Sequence, residues 1–380
     1  MPVERALPTE DARALLGVAR ELADAELRSR AGEFERRAEF PREVFGTLGK
    51  AGLLGLPYPQ EYGGGGQPYE VYLQVVEELA AAWLAVGLGV SVHSLACYPT
   101  AAFGTARQRE QLLPAMLGGD LLGAYCLSEP QSGSDAAAMT SRAARDGADY
   151  VLDGVKAWVT HGGHADFYVV FARTAAGSNG ISCFLAPAGT AGLAPQRPER
   201  KMGMASSPTT QIVLDGARVP AERLVGAEGE GYRIALSALD GGRLGIAACG
   251  VGLAQAALDH AVQYARERRQ FGRPIVEFQA VSFLLADMAT QVEAARALYL
   301  AAARRRDAGA ATRQQAAMAK LFCTDTAMRV ATDAVQVLGG YGYVEDHPVE
   351  RYLREAKVLQ IVEGTNQVQR MVIGRGLARG

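Results

Sequence analysis

The sequence predicts an α+β protein in three zones: an all-helical domain at 1–122, a small antiparallel barrel or sandwich at 123–229 and an antiparallel helical bundle at 230–380. Three observations carry this. Apolar residues recur at helical spacing in the first third. Short strand-like runs separated by turn pairs fill the middle. A sharp alternation of three- and four-residue spacings runs through the last third.

In the first zone, Leu15, Val18, Leu22 and Ala25 recur at helical spacing with charged residues between them. Pro41 opens a second helix with Val44, Phe45 and Leu48 on one side, and a long apolar helix is expected from about Tyr69 to His93. Gly63 to Gly66 read as a flexible turn. No strand precedes them and no Gly-Lys-Ser/Thr follows, so a phosphate loop is not expected. In the middle zone, Asp146-Gly147 and Asp153-Gly154 are tight-turn pairs. The strand-like runs are 150–152, 156–160, 167–172, 181–186 and 211–214. In the last zone, Phe278, Val281, Leu285, Met288, Val292, Ala295 and Tyr299 form one apolar seam. Leu321, Thr324, Met328, Ala331, Val335 and Leu338 form another. Narrow seams of this period suit an antiparallel bundle.

The composition is that of an ordinary globular protein. Of 380 residues, 49% are hydrophobic and 21% charged, and the net charge of -2 favours neither a nucleic acid nor an anionic membrane as partner. The 5 cysteines are scattered, with no C-x-x-C pair, and read as buried free thiols of a reducing compartment. No secretory signal and no stretch of about 18 uninterrupted apolar residues is evident. A cytoplasmic location and no membrane contact are expected. His161 and His164 lack a third partner, so no metal site is expected. The run Arg304 to Arg306 reads as a solvated helix end.

Three segments look too specific for scaffold. In the first, Tyr125 to Pro130 and on to Asp135, small hydroxyls such as Ser128 and Ser134 can donate to a pyrophosphate. In the second, Trp158 and Thr160 lie two apart on a strand and face one side, which suits the face and edge of a planar cofactor. In the third, Glu363 lies between Ile361-Val362 and Gly364. A carboxylate against apolar neighbours loses solvation and becomes a stronger base. Taken alone, the first reads as an ordinary capped turn and the second as a strand with one large core residue. A solvated cap carboxylate is the even alternative for Glu363.

Together and in order, these segments resemble the acyl-CoA dehydrogenase family. Phe40-Pro41-Arg42 to Gly55, Pro59 to Gly64, Lys201-Met202-Gly203 to Thr209, Arg268 to Gly272, Gln336 to Gly342 and Glu363 to Arg370 add further motifs over nearly the whole chain. The resemblance implies an N-terminal α-helical domain, a middle antiparallel β-barrel and a C-terminal four-helix bundle, assembled as a homotetramer, a dimer of dimers, with FAD held across a subunit interface. Tyr125, Leu127, Ser128 and Ser134 would line the flavin, Trp158 would cover the ring, and Thr160 would bond near its N5 edge. Arg268, Phe271, Gln336 and Gly340 would come from the partner subunit, with Thr365 and Gln367 on the remaining dinucleotide. Ser134, Asp240, Arg243, Val362 and Gly364 would meet the substrate.

Glu363 matches the family's catalytic glutamate. Members that carry the base on the first bundle helix would have it at the position of Gly242. The implied reaction is fatty-acid β-oxidation chemistry: Glu363 takes the α-proton of an acyl-CoA, the β-hydrogen leaves as hydride to flavin N5, and a trans-2-enoyl-CoA results. An electron-transferring flavoprotein would take the electrons. An acyl-carrier-protein substrate, a same-fold flavin oxidase or monooxygenase, and a non-enzymatic nucleic-acid-binding relative are the other readings. Three positions depart from common family patterns: Ala205 for a basic residue, His161 for Asn, and Val362 for Tyr. The smaller Val362, if it lines the acyl cavity, would admit branched or bulky short acyl groups.

Overall fold

The computed structural model describes residues 3–378, so the two outermost residues at each end of the expected domains lie outside it. The chain begins with helices α1 (Glu10–Leu22) and α2 (Arg28–Arg37), joined by a π-helical turn, and α3 (Arg42–Lys50). Helices α4 (Tyr69–Ala82), α5 (Leu84–Phe103) and α6 (Ala106–Leu117) follow. Thr9 caps α1 by accepting from the Ala12 amide, as a hydroxyl at this position does. The buried stripe of α1 is Ala12, Leu16 and Ala19, continued by Ala23 and Leu27, whereas Val18 is exposed. The expected stripe is therefore rotated by about one residue. Small alanines rather than the larger leucines take the closest approach to the core.

Two further expectations are corrected here. The long helix from Tyr69 is two helices, broken at Trp83, whose backbone is extended (φ -158, ψ 105). The buried indole donates to Ser206 Oγ at 3.2 Å, a bond that a continuous helix had no reason to favour. Gly63 to Gly66 are pinned rather than flexible. Their amides, with that of Gln67, donate to carbonyls of Gly55, Leu56, Tyr58, Pro59 and Gln60. A β-carbon on Gly64 would stand 2.2 Å from the Tyr58 carbonyl oxygen, so the glycine is needed for close approach.

The middle zone holds β1 (Gly123–Cys126), β2 (Arg142–Asp146), β3 (Asp149–Thr160) and β4 (Phe167–Arg173). Strands β5 (Ile181–Pro187), β6 (Leu193–Pro195), β7 (Thr209–Pro220) and β8 (Leu224–Val225) complete it. The pairing order is β6-β7-β3-β2-β4-β5-β8, with β1 beside β4. The edge strands β6 and β8 do not pair with each other, so the sheet is open and the expected barrel closure is not found. Nor is it wholly antiparallel, because β1 and β2 both run parallel to β4. Asp146-Gly147 makes the expected turn between β2 and β3. Asp153-Gly154 does not turn the chain. It forms a bulge within β3, with Gly154 at φ 144, and Asp153 Oδ1 instead accepts the Gly216 amide at 2.8 Å.

The last zone has the long helices α7 (Gly231–Glu267), α8 (Gln279–Asp307) and α9 (Arg313–Leu338). Short strands β9 (Arg269–Gln270) and β10 (Arg273–Pro274) pair between α7 and α8, and α10 (Val349–Leu359) and α11 (Asn366–Leu377) follow. Helix α7 packs on α4, α5, α8 and α9, so one apolar core joins the first and last zones. By length and composition alone α5 and α7 could cross a membrane, but 89% and 78% of their most apolar windows are buried inside the protein. The seam expected on α8 is buried from Leu285 to Tyr299. Cys97, Cys126, Cys183, Cys249 and Cys323 are all free and buried, as expected.

Candidate active site

Helix α10 ends at Leu359, and the chain makes a short turn before Thr365 starts α11 by accepting the Val368 amide. Glu363 stands in that turn with φ 52, followed by Gly364 at φ 90. A left-handed backbone costs a non-glycine residue on the order of 1 kcal/mol or more and persists only where surrounding contacts impose it. Here Gln369 Nε2 donates to the carbonyls of Gly364 at 2.8 Å and Glu363 at 3.4 Å.

Both carboxylate oxygens of Glu363 are buried, and neither has a hydrogen-bond partner. Burial pushes the carboxyl up to about 7, against the opposing pull of Lys320 and Arg243. An unpartnered buried carboxylate is costly unless it has a task, and a base with this affinity is poised to take and release a proton near neutral pH. The side chain lies over α7 at Gly242, where an added β-carbon would be 1.9 Å from Oε2. The glycine at 242 is what makes room for Glu363.

Gly241 and Gly242 also line a cavity of about 410 Å³, together with Tyr58, Ser91, Ser94 and Tyr98. Sequence reasoning missed two of its other walls. Tyr69 donates to the Gly241 carbonyl at 3.0 Å, and the guanidinium of Arg306 lies 4.2 Å from the Tyr69 ring centroid. Arg306 is therefore not part of a solvated helix end. Its position one residue before the α4-binding Asp307 was the available signal, but only the fold shows that α4 is there.

The residues expected to meet substrate do not line this cavity. Asp240 and Arg243 pair with each other at 2.7 Å on a neighbouring face of α7. Val362 packs against the main core, so the cavity wall gives no support to extra room for branched acyl groups. Gly364 supplies the turn, and Ser134 is exposed in its loop.

The flavin-side residues fall into two groups. Tyr125 and Leu127 lie on or beside β1, in the apolar cluster that joins the sheet to α5, α6 and the start of α7. Trp158 is 63% exposed with φ 61, at a bulge between the Lys156 and Val159 pairings. Simple strand alternation with Thr160 therefore does not hold. The extra residue re-aims the indole outwards. Among the described residues the hydroxyls of Ser128, Ser134 and Thr160 have no protein partner. In the second group, Phe271 is 93% exposed at the β9–β10 turn, Arg268 stacks over Tyr341 at 5.4 Å, and Gln336 and Gly340 are exposed. Thr365 is used as a cap and Gln367 is exposed.

Two departures also find their places. His161 is fully buried, its Nδ1 2.9 Å from the Gly123 carbonyl, and burial pushes it down to about 3. Ala205 offers its backbone amide to Glu35 Oε2 at 2.6 Å. Among the described residues no group of three His, Cys, Asp or Glu could hold a metal ion.

Comparison with known proteins agrees with this geometry. The N-terminal, middle and C-terminal domain models of acyl-CoA dehydrogenase match residues 9–120, 124–217 and 229–378. An acyl-CoA dehydrogenase of Bacillus subtilis (strain 168) is 45% identical, over 95% of this chain and 96% of its own. The chain belongs to the acyl-CoA dehydrogenase family. Like the family, it is an FAD-dependent oxidoreductase. Butyryl-CoA dehydrogenase from Megasphaera elsdenii superposes with a TM-score of 0.96 at 40% identity, covering 99% of this chain and 100% of that one. A chain of a structure reported as an electron transferring flavoprotein of Acidaminococcus fermentans superposes at 0.97 with 43% identity, covering 99% and 100%. The residues present fit the family's FAD. A bared indole, free hydroxyls beside it and exposed aromatic and cationic groups are a suitable donor and stacking set for a dinucleotide.

Proposed function

We propose that this acyl-CoA dehydrogenase oxidises a short acyl-CoA thioester to its trans-2-enoyl product, with Glu363 removing the α-proton. The observation that carries this reading is the buried, unpartnered carboxylate of Glu363, which packs over Gly242, itself a wall of the cavity. A thioester seated there presents its α-carbon to a base that needs no reorganisation to act. The polar lining from Tyr58, Ser91, Ser94 and Tyr98 suits a short chain better than a long apolar one.

FAD, held by Tyr125, Leu127, Ser128, Ser134, Trp158 and Thr160, supplies the acceptor for the β-hydrogen and its two electrons. Burial of Glu363 excludes water from the proton transfer, and the fixed turn 361–365 holds the carboxylate at the face of α7. The product leaves Glu363 protonated, and the raised proton affinity favours that state.

Exposed Phe271, Arg268, Gln336 and Gly340 support a homotetramer in which these residues reach the neighbour's cofactor. The likeness to a chain of an electron-transferring flavoprotein structure supports such a protein as electron acceptor. Domains at 1–122, 123–229 and 230–380, a role in β-oxidation and a cytoplasmic location complete the reading.

Anaerobic titration of the yellow holoprotein with butyryl-, hexanoyl- and octanoyl-CoA tests it. Butyryl-CoA bleaches the flavin fastest on this account. A preference for octanoyl-CoA would contradict the short-chain assignment.

A further inference from the structure

The turn that presents Glu363 is fastened at both ends to one carboxylate on α9. Asp325 Oδ1 accepts from Gln360 Nε2 at 2.7 Å and from Asn366 Nδ2 at 2.7 Å. Its other oxygen accepts from Arg370 Nη2 at 3.2 Å. Gln360 and Asn366 flank the turn, and the Asn366 amide donates to the Gln360 carbonyl at 2.9 Å. The turn is thus a closed loop, and Asp325 grips its neck. On the same helix, Lys320 Nζ donates to Asn366 Oδ1 at 2.8 Å, and Thr324 Oγ1 lies 3.2 Å from that oxygen. Lys320 is fully buried.

This arrangement answers a need. The Glu363 side chain makes no hydrogen bond and its backbone is left-handed. Nothing on the side chain itself fixes its direction, so the backbone of the turn must. Misplacement of a base by about 1 Å can cost about 100-fold in rate.

We infer that Asp325 and Lys320 are positioning residues for the base: Asp325 holds the neck of the loop that presents Glu363, and Lys320, bonded to Asn366, fastens the start of α11 that closes that neck. The inference rests on Glu363 being the base.

Burial raises the proton affinity of Glu363, and Lys320 from α9 and Arg243 from α7 lower it. The other groups that feel the Glu363 charge are Tyr69 on α4, Tyr125 on β1 and Cys249 on α7, all kept neutral by burial. Burial brings Lys320 down to about 7, with Glu363 and Asp325 supporting its charge and Arg243 opposing it. Removing the ammonium leaves Glu363 harder to ionise, so activity requires a higher pH.

The test uses the holoenzyme with butyryl-CoA and compares wild type with Glu363→Gln, Asp325→Ala, Asp325→Asn and Lys320→Met. Two readouts are taken: the pH profile of flavin reduction, and protonation of Glu363 by infrared difference against the matching Glu363→Gln protein. Lys320→Met, which removes the tie to Asn366, lowers kcat about tenfold with KM within about twofold, and moves the acid limb and the infrared transition to higher pH. Asp325→Ala lowers kcat about tenfold or more with KM within about twofold, and Asp325→Asn, which keeps the Oδ1 acceptor, recovers part of the loss. An unchanged kcat in Lys320→Met or in Asp325→Ala, or Asp325→Asn no better than Asp325→Ala, overturns the inference while leaving the base assignment intact. Full activity in Glu363→Gln overturns the base assignment and the inference with it.

Discussion

A methyl group at position 242 would collide with the Glu363 carboxylate, and that single clearance joins α7 to the α10–α11 turn in one site. The carboxyl titrates near 7 when folded and lower when unfolded. Below the unfolded value both states are protonated and burial costs little. As pH rises through about 7, the folded protein must hold a buried anion, at a cost of roughly 3 kcal/mol. Glu363→Gln is therefore more stable than wild type at pH 8, and the gap closes as pH falls to 5. Thermal unfolding of both proteins at the two pH values checks this, and an equal gap at both would contradict it. Glu363 itself was legible in the sequence, because its apolar neighbours and the C-terminal motif both mark it. Its left-handed backbone, the clearance at Gly242 and the grip of Asp325 were not, since each depends on which helices the fold brings alongside.

At the scale of elements, the loop before β2 is tied to β3 by a buried ion pair. Lys156 Nζ lies 2.7 Å from Glu129 Oε1, with both side chains almost wholly buried. Glu129 also accepts the amides of Thr140 at 2.6 Å and Ser141 at 3.0 Å. Burial alone would raise this carboxyl, but Lys156 and the amide donors outweigh it and hold it down at about 2. Its stabilising contribution is complete above the ordinary carboxylate range and is lost as pH falls towards 2. Lys156→Met leaves a buried carboxylate unpaired and costs about 3–5 kcal/mol. Urea unfolding measures the loss, and amide exchange at Thr140 and Ser141 shows whether the loop is released first. A loss under 1 kcal/mol would mean that the amides alone satisfy Glu129. Element types were readable from periodicity, but two local features were not. Asp-Gly suits a hairpin turn and a bulge alike, and β7 opposite Asp153-Gly154 decides between them. The break at Trp83 depends on Ser206, far away in sequence.

At the scale of the whole molecule, the order helical, sheet, helical was legible because each zone keeps one period. Closure of the sheet was not, because pairing of edge strands depends on twist and length rather than on alternation. Exposed aromatic rings include Trp158 by the sheet, and Phe271 with Tyr341 and Tyr343 at the bundle end. Exposed aromatic rings of this number call for partners. If the proposed homotetramer shares its cofactor sites, Phe271→Ser weakens FAD retention and shifts assembly below the tetramer while leaving the protomer fold intact. Light scattering with flavin absorbance on the same sample measures both, and an unchanged tetramer with full flavin would contradict the shared-site reading.

The chemistry hinges on whether Glu363 moves the α-proton. That is measured most directly by hydrogen exchange at the α-carbon of a non-oxidisable butyryl-CoA analogue in deuterated water. The wild-type holoenzyme is expected to wash deuterium into that carbon, and Glu363→Gln, with analogue still bound, to leave it protiated. Equal exchange in the two proteins would contradict the account.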